Sequence, residues 1–219
     1  MICGAIFDID GVLLDSMTIW RDLGSRYLRR HNIQPKDGLD KILFSMSMEQ
    51  GAEYLKNEYC NNFDAEDILD EIKDMLKEFY YYEVEPKDNA TGLLKFLKDR
   101  EIRIAAATSS PRGHVEKALE RTKLLPFIEK IFTTSEIGES KHSPLIYNTA
   151  AAYLGTTPDK TFVFEDSLYA LKTAADSGYC AVGVYDRYGE SDKDGVRTYG
   201  RAYLKNFDDF DMILPYMTN

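Results

Sequence analysis

The sequence lacks any apolar run that approaches the roughly 20 residues of a membrane-spanning helix. Its first residues also lack the basic segment and the small-residue cleavage site of a signal peptide. Cysteine is scarce, and Cys3, Cys60 and Cys180 are widely spaced with no histidine nearby, which argues against a disulfide framework or a zinc site. We therefore expect a cytoplasmic protein without a membrane partner.

Positive charge is in deficit as well. The chain has 27 lysines and arginines against 37 aspartates and glutamates, a net charge of −10. Such a chain repels a polyphosphate backbone, which makes nucleic acid a poor candidate partner. A site for a small anionic ligand would have to supply its own positive charge locally. With 219 residues and 44% hydrophobic content, the chain can nevertheless bury a substantial core.

Short continuous apolar segments alternate with stretches of helical spacing. Continuous rather than alternating hydrophobicity indicates strands that are covered on both faces, as in a parallel sheet. The predicted strands are 2–9, 102–107, 128–132, 161–164 and 180–184. Strands that alternate with helices in this way predict an α/β fold with a doubly wound parallel sheet.

Residues 16–85 have a different pattern, since their apolar residues follow helical spacing throughout. Ser47 and Gln50 form a candidate capping box, and Asp64 is a candidate cap of a later helix. The sequence therefore predicts a helical domain at 16–85 inserted into an α/β domain made of 1–15 and 86–219. The stretch 186–200, rich in glycine and charge, indicates a surface loop.

Two aspartates lie at the carboxyl end of the first predicted strand. Asp8 and Asp10 stand at positions i and i+2 of an extended segment, which places their carboxylates on one side about 7 Å apart. Gly11 allows a sharp turn directly afterwards. Ligands of such sheets bind beyond the carboxyl ends of the strands, where these residues fall. Capping of a turn explains one such aspartate more readily than a pair.

A second acidic pair, Glu165 and Asp166, follows the predicted strand 161–164. On its own this pair could cap the next helix. Four carboxylates that meet at neighbouring strand ends would repel each other unless a cation lies between them. Ligands that are all oxygen favour a hard ion, so we expect Mg²⁺.

Two further segments could bind phosphate. Thr108 and Ser109 follow the strand 102–107, and their hydroxyl and backbone N–H groups precede a helix start. Lys141 lies beside another helix start, marked by Pro144, and could supply an ammonium group to the site. Each feature alone is also typical of an ordinary helix start or a solvated lysine. Gly11, in the turn after the aspartates, is a further candidate phosphate ligand.

Taken together and in this order, the four motifs resemble those of the haloacid dehalogenase superfamily. The helical insertion resembles the cap of its phosphoglycolate phosphatase and β-phosphoglucomutase branch, whose core is a Rossmann-like sheet. The resemblance covers nearly the whole chain. One departure is the third motif, often Gly-Lys-Pro-x-Pro, which reads Ser-Lys-His-Ser-Pro at 140–144 here.

The resemblance implies roles for individual residues. Asp8 would be the nucleophile and Asp10 the general acid and base. Thr108 and Lys141 would bind phosphate, and Lys141 would also neutralise Asp8. The metal site it implies consists of Asp8, the backbone carbonyl of Asp10 and Asp166, with Glu165 bound to the metal or lying beside it.

We therefore expect a magnesium-dependent phosphatase that forms an aspartyl-phosphate and acts on a small phosphorylated metabolite. A dehalogenase is disfavoured because that branch lacks the second aspartate, and a receiver domain because it has no insertion. A phosphomutase remains the alternative. Related mutases have a cap histidine where Trp20 stands here, and for Trp20 both substrate contact and packing within the cap remain open. The sequence identifies neither the substrate nor the oligomeric state.

Overall fold

In this computed structural model the chain forms two compact units. One consists of Met1–Asp15 with Val84–Asn219, and the other of Ser16–Glu83. The structure describes residues 1–43, 46–189 and 192–217. The smaller unit ends at Glu83, whereas the sequence predicts an insertion that ends at residue 85. That this unit acts as a cap stays a prediction.

The smaller unit is helical. Its helices are α1 Met17–Arg30, α2 Leu39–Leu43, α3 Met48–Glu58 and α4 Ala65–Glu78, followed by a π-helical turn at Phe79–Glu83. The capping box is confirmed, because Ser47 Oγ accepts from Gln50 N–H and Gln50 Oε1 accepts from Ser47 N–H. Asp64 precedes α4, but the capping bond expected of it is absent from the described structure. Its carboxylate instead lies 3.4 Å from the Lys56 ammonium.

The larger unit contains a parallel sheet, as predicted, and this sheet has six strands. The strands are β1 Gly4–Phe7, β2 Arg103–Thr108, β3 Lys130–Thr133, β4 Thr161–Glu165, β5 Cys180–Val184 and β6 Ala202–Leu204. The strand order is β3-β2-β1-β4-β5-β6. Strand β6 was not predicted, because three residues are too few to show a hydrophobic pattern.

Helices cover the sheet. They are α5 Ala90–Lys98, α6 Arg112–Arg121, α7 Thr134–Ile137, α8 Leu145–Leu154, α9 Leu168–Asp176, α10 Lys193–Tyr199 and α11 Leu214–Met217. Helix α10 corrects the prediction of a loop over the whole of 186–200. The Asp192 carboxylate accepts from Gly195 N–H at 2.8 Å to cap this helix, and Val196 is buried.

The position of β1 defines where a ligand can bind. The strand is fully buried and lies between β2 and β4, so the chain connections diverge on its two sides. Phe7 pairs with Ala106 on one side and with Phe164 on the other. The residues that follow these three therefore reach the same edge of the sheet, at the topological switch point where ligands of such sheets bind. In the described part of the chain, no helix is long and apolar enough to span a membrane.

Candidate active site

Asp8 emerges from β1 into a tight turn. Its Oδ1 accepts hydrogen bonds from Ile9 N–H and from the Lys141 ammonium, both at 2.7 Å. No hydrogen-bond partner of Oδ2 is present in the described structure, which leaves this oxygen available for a reaction or a metal. The turn is closed by Leu13 and Leu14, whose N–H groups donate to the Ile9 carbonyl at 2.9 Å. Gly11 has φ of +71°, a conformation that a side chain would strain.

Lys141 is the positive charge that the site requires. Its side chain is buried, and its ammonium lies 2.7 Å from Asp8 and 2.8 Å from Glu165. Burial disfavours the charged form, but the two carboxylates outweigh this effect and raise the pKa of Lys141. Lys141 therefore stays protonated and lies between the two acidic strand ends.

Glu165, the last residue of β4, has two unequal carboxylate oxygens. Oε1 accepts from Lys141 and from the Tyr147 hydroxyl, at 2.8 and 2.7 Å. Oε2 is buried and has no hydrogen-bond partner in the described structure. A buried carboxylate oxygen without a partner is rare and indicates that another positive or donating group belongs there.

The carboxylates form a set that fits a hard divalent cation. Asp8, Glu165 and Asp166 each offer an oxygen atom, and these atoms lie within 4.8 Å of one another. Burial, followed by the charges of Glu165 and Asp186, raises the pKa of Asp166 to about 8. Burial also raises the pKa of Asp8, with Lys141 opposing and the neighbouring carboxylates adding to the shift. One ammonium is thus too little positive charge for this cluster, and a divalent cation would supply the remainder.

The hydroxyl-rich end of β2 lies beside Asp10. Ser110 Oγ donates to Asp10 Oδ2 at 2.6 Å, and the buried Thr108 Oγ1 accepts from Ser110 N–H at 3.0 Å. Ser109 is exposed. The roles of Thr108 and Ser109 as phosphate ligands stay predictions, and the hydroxyl of the next residue, Ser110, binds the second aspartate.

Trp20 belongs to helix α1 of the smaller unit. It is half-buried and, together with apolar residues of the same unit such as Met17 and Leu55, lines a cavity of about 300 Å³. Its contribution to substrate binding stays a prediction.

Several residues that contact the site cannot be recognised from the sequence. Tyr147 lies among the apolar residues of α8, so the sequence pattern gives it a packing role. Its hydroxyl nevertheless donates to Glu165. Asp186 is buried near Asp166 and paired with Lys87, but the sequence shows it only as a charged residue at the start of a glycine-rich segment. Contacts between such distant positions follow from the strand order, which one sequence does not reveal.

Comparison with known proteins gives matches over most of the chain. The family model for haloacid dehalogenase-like hydrolases matches residues 5–184. The chain is 28% identical over 187 residues to the validoxylamine A 7′-phosphate phosphatase of Streptomyces hygroscopicus subsp. limoneus, covering 82% of this chain and 84% of that protein. It is 26% identical over 189 residues to the β-phosphoglucomutase of Bacillus subtilis (strain 168), covering 82% and 81%.

The solved structures agree on the fold. A conserved haloacid dehalogenase-like protein from Agrobacterium tumefaciens matches with a TM-score of 0.77 and 20% identity, over 100% of both chains. The family match spans well over half of this chain and contains all four motifs, from Asp8 to Asp166. The membership predicted from those motifs is confirmed, and this chain belongs to the haloacid dehalogenase-like hydrolases.

Proposed function

We propose that this protein is a magnesium-dependent phosphatase that hydrolyses a small phosphate monoester through an aspartyl-phosphate on Asp8. At the coarser level, family membership and relatives named as phosphatases make the chain a phosphoric monoester hydrolase. The arrangement around Asp8 is the observation that supports the proposed metal-dependent mechanism. This carboxylate has one oxygen held by Lys141 and the other without a hydrogen-bond partner in the described structure, beside a carboxylate cluster that fits a divalent cation.

In the first step, Asp8 Oδ2 attacks the phosphorus of the monoester, and the bond from phosphorus to the leaving oxygen breaks. Lys141 offsets the negative charge of Asp8 and of the transferring phosphoryl group. Asp10, in its protonated form, donates its proton to the leaving oxygen. A divalent cation at Asp8, Glu165 and Asp166, with the Asp10 carbonyl, would supply electrostatic stabilisation of the phosphoryl oxygens.

In the second step, Asp10 acts as a base. It takes a proton from a water molecule, the water oxygen bonds to phosphorus, and the bond between phosphorus and Asp8 breaks to release inorganic phosphate. Ser110 keeps the Asp10 carboxylate in place by its hydrogen bond of 2.6 Å. Thr108, Ser109, Gly11 and Lys141 are the proposed phosphate ligands.

The proposed substrate is a small phosphorylated metabolite. Relatives include the validoxylamine A 7′-phosphate phosphatase already described and a protein of Thermotoga maritima named a phosphorylated carbohydrates phosphatase. The net charge of −10 disfavours a nucleic acid substrate.

The test is phosphate release from p-nitrophenyl phosphate with Mg²⁺ or with a chelator. We expect activity with Mg²⁺, none with the chelator, and none in Asp8→Asn, because an amide is a poor nucleophile and carries no charge for the metal. Asp209→Asn, at an exposed aspartate, is the matched control and should keep full activity. Full activity of Asp8→Asn, or of the chelated enzyme, would exclude this mechanism.

A β-phosphoglucomutase is the second candidate, since one of the relatives carries that name. A mutase must protect its aspartyl-phosphate from water while the intermediate reorients. Trp20, which stands where related mutases have a histidine, cannot shuttle a proton near neutral pH. We therefore expect free phosphate to exceed glucose 6-phosphate when β-glucose 1-phosphate is supplied with a trace of the 1,6-bisphosphate. Glucose 6-phosphate formed well ahead of phosphate would favour the mutase.

A further inference from the structure

Lys87 and Asp186 form an ion pair in the larger unit. The Lys87 ammonium lies 2.6 Å from Asp186 Oδ2 and donates to the Tyr185 carbonyl at 2.9 Å. The Asp186 side chain is 1% exposed and that of Lys87 is 16% exposed. A carboxylate buried to this degree requires a partner, so the pair is a fixed feature of the structure.

Lys87 connects the segment after β1, which carries the candidate metal ligand Asp8, with the loop after β5. Its backbone N–H donates to the Leu13 carbonyl at 2.9 Å, and Leu13 in turn donates to the Ile9 carbonyl in the turn that holds Asp8. Its side chain holds the loop after β5, to which Asp186 belongs. One residue thus contacts both the segment after β1 and the loop after β5.

Asp186 organises the turn that lies against Asp166. Its Oδ1 accepts from the N–H groups of Tyr188 and Gly189, both at 2.7 Å. A Cβ atom on Gly189 would lie 2.5 Å from Asp166 Oδ2, which shows how closely the turn approaches this carboxylate. Asp166 and Asp186 also line one small cavity. The position of this turn therefore limits the position of the Asp166 carboxylate.

We propose that Lys87 and Asp186 are positioning residues, which hold the turn 186–189 (the Asp186 turn) against Asp166 and so fix the carboxylate geometry that binds the divalent cation. This inference rests on the metal-dependent function proposed above. Among the residues that the structure describes, no hydrogen bond or ion pair joins Lys87 or Asp186 to Asp8 or to the proposed phosphate ligands, so we infer that their effect is exerted through Asp166.

For loss of the Lys87 ammonium, an electrostatic effect and a positioning effect predict opposite changes in metal affinity. A nearby ammonium repels a cation, so loss of its charge alone would strengthen metal binding. Loss of a group that positions a ligand weakens metal binding, by 10- to 100-fold for the hydrogen-bond partners of metal ligands. The double substitution Lys87→Met with Asp186→Asn separates the two effects, because it removes the ion pair without changing the net charge and leaves no charge buried without a partner.

The experiment measures the Kd of Mn²⁺ from the electron paramagnetic resonance signal of the free ion, well below the unfolding temperature. We expect the Lys87→Met/Asp186→Asn variant to bind Mn²⁺ about tenfold more weakly than the wild type. Gly189→Ala, which keeps both charges but pushes on Asp166, should weaken binding in the same direction. Lys205→Met is the matched control, since Lys205 is exposed and lines a cavity with Lys87; its Kd should not change.

Activity provides a second measurement that a purely structural role would not reproduce. We expect the double variant to need a higher Mg²⁺ concentration for half-maximal activity, whereas kcat at saturating Mg²⁺ and KM for p-nitrophenyl phosphate stay near those of the wild type. If the double variant and Gly189→Ala bind Mn²⁺ as tightly as the wild type, the positioning role is wrong and the proposed function is unaffected. Absence of Mn²⁺ binding by the wild type would instead refute the metal-dependent function and this role with it.

Discussion

At the scale of single residues, hydroxyl groups position the carboxylates of this site. Ser110 donates to Asp10, and Tyr147 donates to Glu165. Each hydroxyl directs one oxygen of a carboxylate and leaves the other oxygen for a different contact. A carboxylate fixed in this way loses little freedom when it acts, which favours both proton transfer and metal binding.

The Asp10→Asn variant should lose more of its kcat for a substrate whose leaving group needs protonation than for one whose leaving group does not. General acid and base catalysis contributes about 10² to 10⁴ in rate. We expect a loss in this range for an alkyl phosphate and a smaller loss for p-nitrophenyl phosphate, whose leaving group needs less protonation. The measurement is kcat for both substrates at saturating Mg²⁺. Equal losses for the two substrates would contradict the role of Asp10.

Tyr147→Phe tests the hydrogen bond to Glu165. Tyr147 and Tyr179 are both buried, and each hydroxyl makes one side-chain hydrogen bond, that of Tyr179 to Asn148 at 2.8 Å. Both Tyr→Phe variants should lower the free energy of unfolding by about 1 kcal/mol. Only Tyr147→Phe should also change the Mg²⁺ concentration for half-maximal activity, because only its partner belongs to the carboxylate cluster. Unfolding in urea and Mg²⁺ titration of activity measure the two effects.

At the scale of elements, the sequence predicts the central strands because each is a continuous apolar run buried on both faces. Such a run also reveals the residue at its carboxyl end, which is why Asp8 and Glu165 could be singled out. The partners Ser110, Tyr147 and Lys87 could not, since their contacts depend on the order and register of strands that are distant in sequence. The sequence does not predict helix α10, because Val196 is its one buried residue and a single apolar position among charged residues and glycine shows no helical spacing.

The stability of α10 should depend on its cap. Asp192 Oδ1 accepts from Gly195 N–H at 2.8 Å, and loss of such a cap typically lowers stability by about 1 kcal/mol. We expect this loss in Asp192→Ala and a smaller one in Asp192→Asn, since asparagine retains the acceptor. Urea unfolding of the three proteins gives the comparison. A loss in Asp192→Asn as large as that in Asp192→Ala would indicate that charge rather than the hydrogen bond stabilises the helix.

At the scale of the whole molecule, the acidic cluster couples folding to pH and to metal. Asp166 has a pKa of about 8 in the folded protein without metal, against an ordinary value near 4 in the unfolded chain. The folded state therefore binds more protons than the unfolded state between these pH values. It follows that the contribution of Asp166 to stability is complete below about pH 4 and is lost as the pH rises toward 8.

Mg²⁺ should reverse this pH dependence, because a divalent cation stabilises the ionised carboxylate and binds only the folded arrangement. We expect the Tm of the chelated protein to fall as the pH is raised from 5 to 8, and the increase in Tm on addition of Mg²⁺ to grow over the same range. Asp166→Asn removes the titrating group, so its Tm without metal should depend less on pH and its response to Mg²⁺ should be small. Calorimetric scans of both proteins, with chelator and with Mg²⁺, give the comparison. If wild type and Asp166→Asn had parallel pH profiles without metal, burial of an ionisable Asp166 would not be the cause of the pH dependence, and another titrating group would have to be responsible for it.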